Sequence, residues 1–519
     1  MSDNSLEVNL GVPNEYPVTT PEPQNLSEFS EDVLHSAASA ALDEPERAVI
    51  PSCVTLMSQM QPIHAEILRG IRASRVLRNS PGAWMHGDLR RLQGRSQVTT
   101  KLDEFWSHSW RTRPGLKYAS ILYRSNGLAA FVLGTLSALV ACALQGTGVL
   151  HWHGACMMAG AVGYYSTLLV WCPRAQVFLD VACVDQVDPI KKVQGLMSMG
   201  AFLRASKSLV VFWDVSFVTR LWCLFEVAGF MHTQRLCASK TLEVCPVFVG
   251  PALLCGHAGL TLMLLILSIA EVDTSHLHLN GGVVLVCAAL MLLCLTSLAY
   301  IVLLHCRSIE VMQYQLHRFT TEHATSQCCA RQHVTSTGQR ILCDRDIILE
   351  CISAWFGSQE QFEGMVRTDL LRQLVHQLAN RTFSYWRILQ ATSPVAWFLL
   401  DRVFEGVWIR GAVAVSLYWL MLLPSIVLVS LRLAYSVRNL CDGILARVLL
   451  STCLVANATF MVGGFYALEI YLALAFGEGY SKHRPLSTSV TLAMMTVVTA
   501  CLWCCVPPIQ KSALPGRAG

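Results

Sequence analysis

Residues 206–230 read SKSLVVFWDVSFVTRLWCLFEVAGF, and the rest of the chain is divided around them. Leu209 to Trp213 is a short unbroken apolar run, the pattern of a strand buried on both faces, and it stops at Asp214. Leu221 to Met231 then repeats apolar residues at helical spacing. Upstream, Val177 to Val181 is a second short apolar run, and Ile190 to Ala205 carries Ile190, Val193, Leu196, Met197, Gly200 and Leu203 at helical spacing. Downstream, Leu242 to Phe248 reads as a further strand. The order is βαβαβ, which predicts a parallel, doubly wound α/β fold.

That soluble pattern sits in a chain of 519 residues that is 53% hydrophobic and only 14% charged, too apolar for a soluble protein of this size. A bilayer must take up the excess, so the lipid bilayer is the first expected partner. Seven stretches have the length and apolarity of membrane helices: Gly127 to Gln145, Ala155 to Cys172, Ala252 to Ala270, Val283 to Leu304, Gly411 to Leu431, Val448 to Leu472 and Leu486 to Cys505. Pro424 interrupts the fifth, and a membrane helix tolerates it where a neighbouring group takes the freed carbonyl. The short loops Gly146 to Gly154 and Val272 to Gly282 contain no Lys or Arg, whereas Arg174 to Gly250 and the segment from Arg307 to Arg387 are rich in both. The positive-inside rule makes the long segments cytosolic, and with them the N-terminus. Arg432, Arg438 and Arg447 are the exception, because strict alternation of seven spans puts them outside. If Pro394 to Ile409 enters the membrane, the count changes and the C-terminus changes side. The net charge of +4 includes no basic tract dense enough for nucleic acid. The 21 cysteines lack the spacing of a secreted disulfide scaffold and read as reduced, small apolar residues.

The stretch 206–230 resembles the third strand and following helix of TIR domains, in which an S-(K/R)-x-φ-V-V-φ strand precedes a W-C-x-x-E helix. Asp103 to Trp110 (DEFWSHSW) resembles the first TIR strand with its Ser-His turn, and Gly115 to Arg124 the helix after it. The resemblance covers about a hundred residues. It departs from the family in the loop VDQVDPIKK and in the lack of a fifth strand. It implies a discontinuous TIR-like domain over 101–125 and 174–250, interrupted by a transmembrane hairpin at 126–173. Around it lie an acidic, disordered tail (1–60), a basic amphipathic segment (61–100) and a second hairpin (251–306). A cytosolic helical segment (307–395) and a C-terminal transmembrane region (396–519) complete the expected organisation. In the TIR sheet order, the strand at Asp103 to His108 should lie between Val177 to Val181 and Leu209 to Trp213.

Enzymatic TIR domains cleave the nicotinamide bond of NAD with a glutamate at the start of the helix after the third strand, and here that position is Glu226. The resemblance places Ser107, His108, Asp180 and Trp222 in the ligand site. Many TIR domains instead assemble without turnover, so it also implies self-association, with Trp222, Cys223 and Glu226 merely packing and capping a helix.

Other residues carry chemistry outside that region. His151 with His153, and His276 with His278, are two H-x-H pairs in the short loops; in extended backbone each pair shares a face and offers two imidazoles to Zn²⁺ or Cu²⁺. The alternative is a set of interfacial histidines. Arg69, Arg72, Arg75, Arg78, Arg90, Arg91 and Arg95 interleave with apolar residues, as in a basic helix resting on anionic lipid. Ile347 to Trp355 and Phe362 to Leu378 form a helical pair, broken at Gly357 and Ser358, that needs a partner surface. Glu469 is a carboxylate within a span. The leading expectation is a multi-pass membrane protein that signals through a cytosolic TIR-like domain. The alternative is a transporter or channel with a regulatory cytosolic domain.

Overall fold

The computed structural model describes residues 49–78, 81–86, 92, 94–109, 112–236, 239–269, 277–324, 326, 344–401, 412–478 and 485–509. Six strands form one mixed sheet: β1 Arg69–Arg72, β2 Gln97–Val98, β3 Leu102–His108, β4 Gln176–Phe178, β5 Ser206–Trp213 and β6 Thr241–Pro246. The order across the sheet is β2-β1-β4-β3-β5-β6. Strands β4, β3, β5 and β6 are parallel, with Phe105 opposite both Phe178 and Leu209. The strand at 102–108 therefore lies between the two expected neighbours. Phe105, Leu209 and Val210 have no exposed surface, as a strand covered on both faces requires. Phe105 stacks on Phe178 at 4.4 Å, and Phe178 meets Phe202 at 4.3 Å.

The expected tail and basic segment need correction. Val49–Ser58 is a helix, α1, and Met57 is buried in the core; residues 1–48 lie outside the described residues. In place of a basic amphipathic helix, Arg69–Arg72 forms strand β1, antiparallel to β4 and β2, because Gly70 and Ile71 are buried against the sheet while the arginines flank them. The guanidinium of Arg69 donates to the Ser96 hydroxyl at 3.0 Å and carbonyl at 2.7 Å, binding protein and not lipid.

A second correction concerns the junction with the membrane. The helix expected at Gly115 to Arg124 and the first span are one helix, α2, Pro114–Gly146, of 33 residues. At 1.5 Å per residue it runs for about 50 Å, with its first turns beside the sheet. Arg124 on its third turn bridges Glu104 of β3 at 2.9 Å and Glu243 of β6 at 2.5 Å. The partner helix α3, Ala155–Val170, has 16 residues and is shorter than a full span. The two approach closely because they are small where they meet: a methyl group on Gly134 would lie 3.0 Å from the Gly160 carbonyl oxygen.

Among the described residues six helices are long and apolar enough to cross a membrane, which makes this a multi-pass membrane protein by length and composition. Besides α2 they lie within α5 Val249–Ile269, α6 Leu277–His317, α10 Ala412–Ser436, α11 Ile444–Ala475 and α12 Pro485–Cys505. Here α4 denotes Leu221–Leu236 and α7 Asp344–Phe356, both beside the sheet, and α8 and α9 denote the short helices Tyr385–Ala391 and Ser393–Asp401. Helix α5 follows β6 almost directly, and Ser120 of α2 donates to the Val247 carbonyl at 2.6 Å.

Of the segment Pro394 to Ile409, whose entry into the membrane the sequence leaves open, Pro394 to Asp401 packs within the helical bundle, and residues 402–409 lie outside the described residues. Ser393 meets His257 eight residues into α5, Trp397 donates to the Thr135 hydroxyl of α2, and Asp401 reaches Cys156 and Ser268 at the end of the bundle away from the sheet. Helices α8 and α9 together traverse the bundle from the sheet end to the far end, a pass that breaks at Thr392. The next helix, α10, returns, and the turn after it is held at the sheet end by Arg438 on Glu310 at 3.0 Å and Arg307 on Asp442 at 3.1 Å. Arg438, which strict alternation of seven spans puts outside, thus lies at the same end of the bundle as the sheet. The Asn380 side chain bonds both the amide and carbonyl of Ile509, so the last described residues also lie at the sheet end. In α10 a π-helical stretch, Val415–Leu422, precedes Pro424. The carbonyl that Pro424 leaves free, that of Leu420, accepts from the Tyr385 hydroxyl at 2.8 Å.

The first helix of the pair expected at Ile347 to Trp355 and Phe362 to Leu378 finds its partner beside the sheet. Trp355 of α7 packs on Phe225 of α4 at 5.1 Å and donates to the Ser58 carbonyl after α1. Gly357 takes the left-handed φ of +88° that a helix end needs, and Ser358 caps the following helix by accepting from Gln361.

Candidate active site at the strand ends

In a parallel sheet the carboxyl ends of the strands converge on one edge, where loops are free to supply polar groups. Here β3 ends in Ser107 and His108, β4 leads to Asp180, β5 ends just before Asp214, and α4 supplies Glu226. The Ser107 hydroxyl donates to the Glu226 carboxyl across 119 residues of sequence. Ser107 is 1% exposed, whereas Glu226 keeps part of its surface accessible. Burial of the carboxyl pushes its pKa up to about 8; the Ser107 hydrogen bond opposes this, Asp180 adds to it by like-charge repulsion, and Arg220 opposes it. At neutral pH Glu226 is therefore mostly protonated.

The neighbouring groups are tuned in the same direction, toward neutrality. Burial, reinforced by Lys117, holds the His108 imidazole well below its ordinary range. Burial, reinforced by Glu226, holds the Cys223 thiol well above its own, so this cysteine is no thiolate nucleophile. Its sulfur lies 3.9 Å from the His108 carbonyl oxygen.

Lys117 of α2, Asp214 and the hydroxyls around them were not singled out from sequence. Lys117 is 4% exposed, and Asp180 and Asp214 act on its charge. Asp214 accepts from the Ser216 amide at 2.7 Å and hydroxyl at 2.6 Å and from the Thr112 hydroxyl, while Ser109 and Ser216 pair at 2.9 Å. A lysine in the otherwise apolar first turns of α2, and an aspartate directly after a strand, were the available signals.

Ser107, Asp180 and Glu226 thus come together, and His108 lies beside them, its carbonyl facing Cys223 and its imidazole in the field of Lys117 and Arg220. Trp222 does not: its indole donates to Asp344 of α7 at 3.2 Å and its ring packs on Phe225, so it belongs to the contact between α4 and α7. His151 and His153 are exposed in the turn between α2 and α3. His276 lies outside the described residues, and the position of the His278 side chain is not described, so convergence of the four imidazoles falls outside the structure. Among the described residues no group of three or more His, Cys, Asp or Glu is arranged to hold a metal. Glu469 accepts from the Tyr418 hydroxyl between α11 and α10.

Chemically, the strand-end cluster offers a neutral carboxylic acid beside a hydroxyl and a buried lysine flanked by two aspartates. It can donate and accept hydrogen bonds to a hydroxyl-rich ligand. To stabilise a developing cation, Glu226 must first lose its proton. Compared with models of protein families, with curated proteins and with solved structures, the chain matches none.

Proposed function

We propose that the chain is a multi-pass membrane protein that signals through a cytosolic TIR-like domain, and that this domain works by assembly more than by catalysis. The observation that carries the reading is the strand order: β3 lies between β4 and β5 in a parallel sheet, with Ser107 and Glu226 joined at its carboxyl edge. Two features favour assembly. Glu226 is held protonated near neutral pH, which suits a packed helix better than an oxocarbenium-stabilising carboxylate. Trp222 and Phe225 are committed to the α7 contact. The test is NAD turnover by the purified full-length protein beside Glu226→Ala. Turnover that needs Glu226 assigns the domain to NAD cleavage; no turnover, together with self-association of the wild type, supports assembly. A monomeric wild type without turnover overturns the proposal.

A second reading, a transporter or channel, is favoured by one feature: the broken pass at Thr392, where buried His257 bonds Ser393 on one side and Tyr165 on the other. Ion flux in proteoliposomes that His257→Phe abolishes would establish it, and absence of flux in the wild type would remove it.

A further inference from the structure

A cavity of about 270 Å³ lies at the sheet end of the bundle, where α6, α10 and α12 meet the turn Gln377–Arg381. Its walls include Leu428, Leu431, Leu502 and Val506, but three of its side chains carry a buried polar atom without a hydrogen-bond partner: His305 Nδ1, Tyr435 Oη and Trp503 Nε1. Leaving one such atom unpaired costs roughly 1–3 kcal/mol, so three around one cavity form a prepared set of contacts. Arg432 also lines the space, half-buried and with no acidic partner among the described residues. His305 is 2% exposed and its Nε2 faces the Leu378 carbonyl at 2.9 Å. A carbonyl only accepts, so Nε2 carries the proton and Nδ1 of the neutral ring is an acceptor.

We infer that this cavity binds the headgroup of an anionic phospholipid that bears a free hydroxyl, of the glycerol or inositol type. The donors define the acid: Arg432, the Trp503 indole N–H and the Tyr435 hydroxyl suit the non-bridging oxygens of one phosphodiester. The acceptor and Arg432 together define the alcohol: His305 Nδ1 requires a donor, which a choline headgroup lacks, and the ammonium of a serine or ethanolamine headgroup would stand beside Arg432 as a like charge. The apolar walls belong to α10 and α12, whose remaining length crosses the bilayer, so acyl chains have a continuous apolar surface beside the site.

The site also adjoins the sheet. Leu378, which His305 holds, follows Gln377, and Gln377 accepts from the Val244 amide at 2.7 Å and donates to the Leu242 carbonyl on the outer edge of β6. A bound headgroup therefore braces the turn that closes the sheet edge.

The experiment reconstitutes the full chain in phosphatidylcholine nanodiscs with a minor fraction of phosphatidylglycerol, phosphatidylserine or neither, and counts retained lipid by native mass spectrometry. Phosphatidylglycerol should be retained at one per chain, above phosphatidylserine, and Arg432→Gln should lower its retention roughly tenfold. Trp503→Phe keeps the ring and removes only the N–H, so its lowered retention carries the test if the arginine variant misfolds. Retention of phosphatidylglycerol no greater than that of phosphatidylcholine, or unchanged in both variants, overturns the site. Stabilisation of the phosphatidylcholine-reconstituted protein by free glycerol phosphate, without lipid retention, overturns the lipid as its source and assigns a soluble organophosphate.

Discussion

Asp401 accepts a 2.8 Å hydrogen bond from the backbone amide of Cys156, 245 positions earlier in the chain. Its second oxygen accepts from Met157 at 3.1 Å and from the Ser268 hydroxyl at 3.0 Å. The carboxylate thus caps the first turn of α3, whose amides have no partner within the helix, and ties it to α9 and α5. Asp401→Ala should lower stability by about 1–3 kcal/mol, and Asp401→Asn by less, measured by thermal unfolding in detergent. Equal stability of wild type and both variants would show that the cap contributes nothing.

The course of the chain past Asp401 predicts its sidedness. With other cysteines removed, Cys441 should react with an impermeant thiol reagent only from the face that carries the sheet, and a cysteine placed at His153 only from the opposite face. Labelling of both from one side would refute the pass formed by α8 and α9.

Glu226 predicts a pH dependence. Its folded pKa of about 8 exceeds its ordinary value of 4.5, so over that window the folded state holds a proton that the unfolded chain releases. Stability contributed by this group is present below about pH 4.5 and is lost as pH rises through about 8. The melting temperature of the wild type should fall across this window more steeply than that of Glu226→Gln, which stays neutral throughout. Parallel profiles would contradict the assignment.

Gly160 marks where α9 meets α3. A methyl group there would stand 2.4 Å from the Trp397 ring, so Gly160→Val should cost about 1–3 kcal/mol or displace α9. Adding Trp397→Ala should recover part of that loss in a double-mutant cycle, whereas simple additivity would mean that the two residues do not meet.

Gln377→Ala should raise amide hydrogen exchange at Val244, whose N–H it leaves without its acceptor, while exchange within β3 stays slow. Unchanged exchange at Val244 would mean that the edge of β6 is protected by other groups.

Strand β5 was legible because Leu209 to Trp213 is an unbroken apolar run, and the long spans were legible because little else is apolar for twenty residues. Strand β1 was not, since its four residues begin and end with arginine and show no alternation to read. Helices α8 and α9 were only half legible: Pro394 to Ile409 left membrane entry open, because each helix is under ten residues and Asp401 ends the pair. Its capping partners come from distant sequence, which no local pattern records. At the strand ends, Glu226 and Ser107 were readable through a motif, whereas Lys117 lies in a helix whose apolar continuation dominated the reading. Trp222 misled for a related reason: its place in a motif said nothing about the helix 120 residues later that takes up its indole.

The order in which the sheet leaves the ribosome follows from the position of the hairpin. Strand β3 at 102–108 is the first of the four parallel strands to be made, and its neighbours at 176–178 and 206–213 emerge only after α2 and α3 have been synthesised. The central strand therefore has no parallel partner until both helices have been made. Closure of the middle of the sheet thus waits on the hairpin and comes late in synthesis.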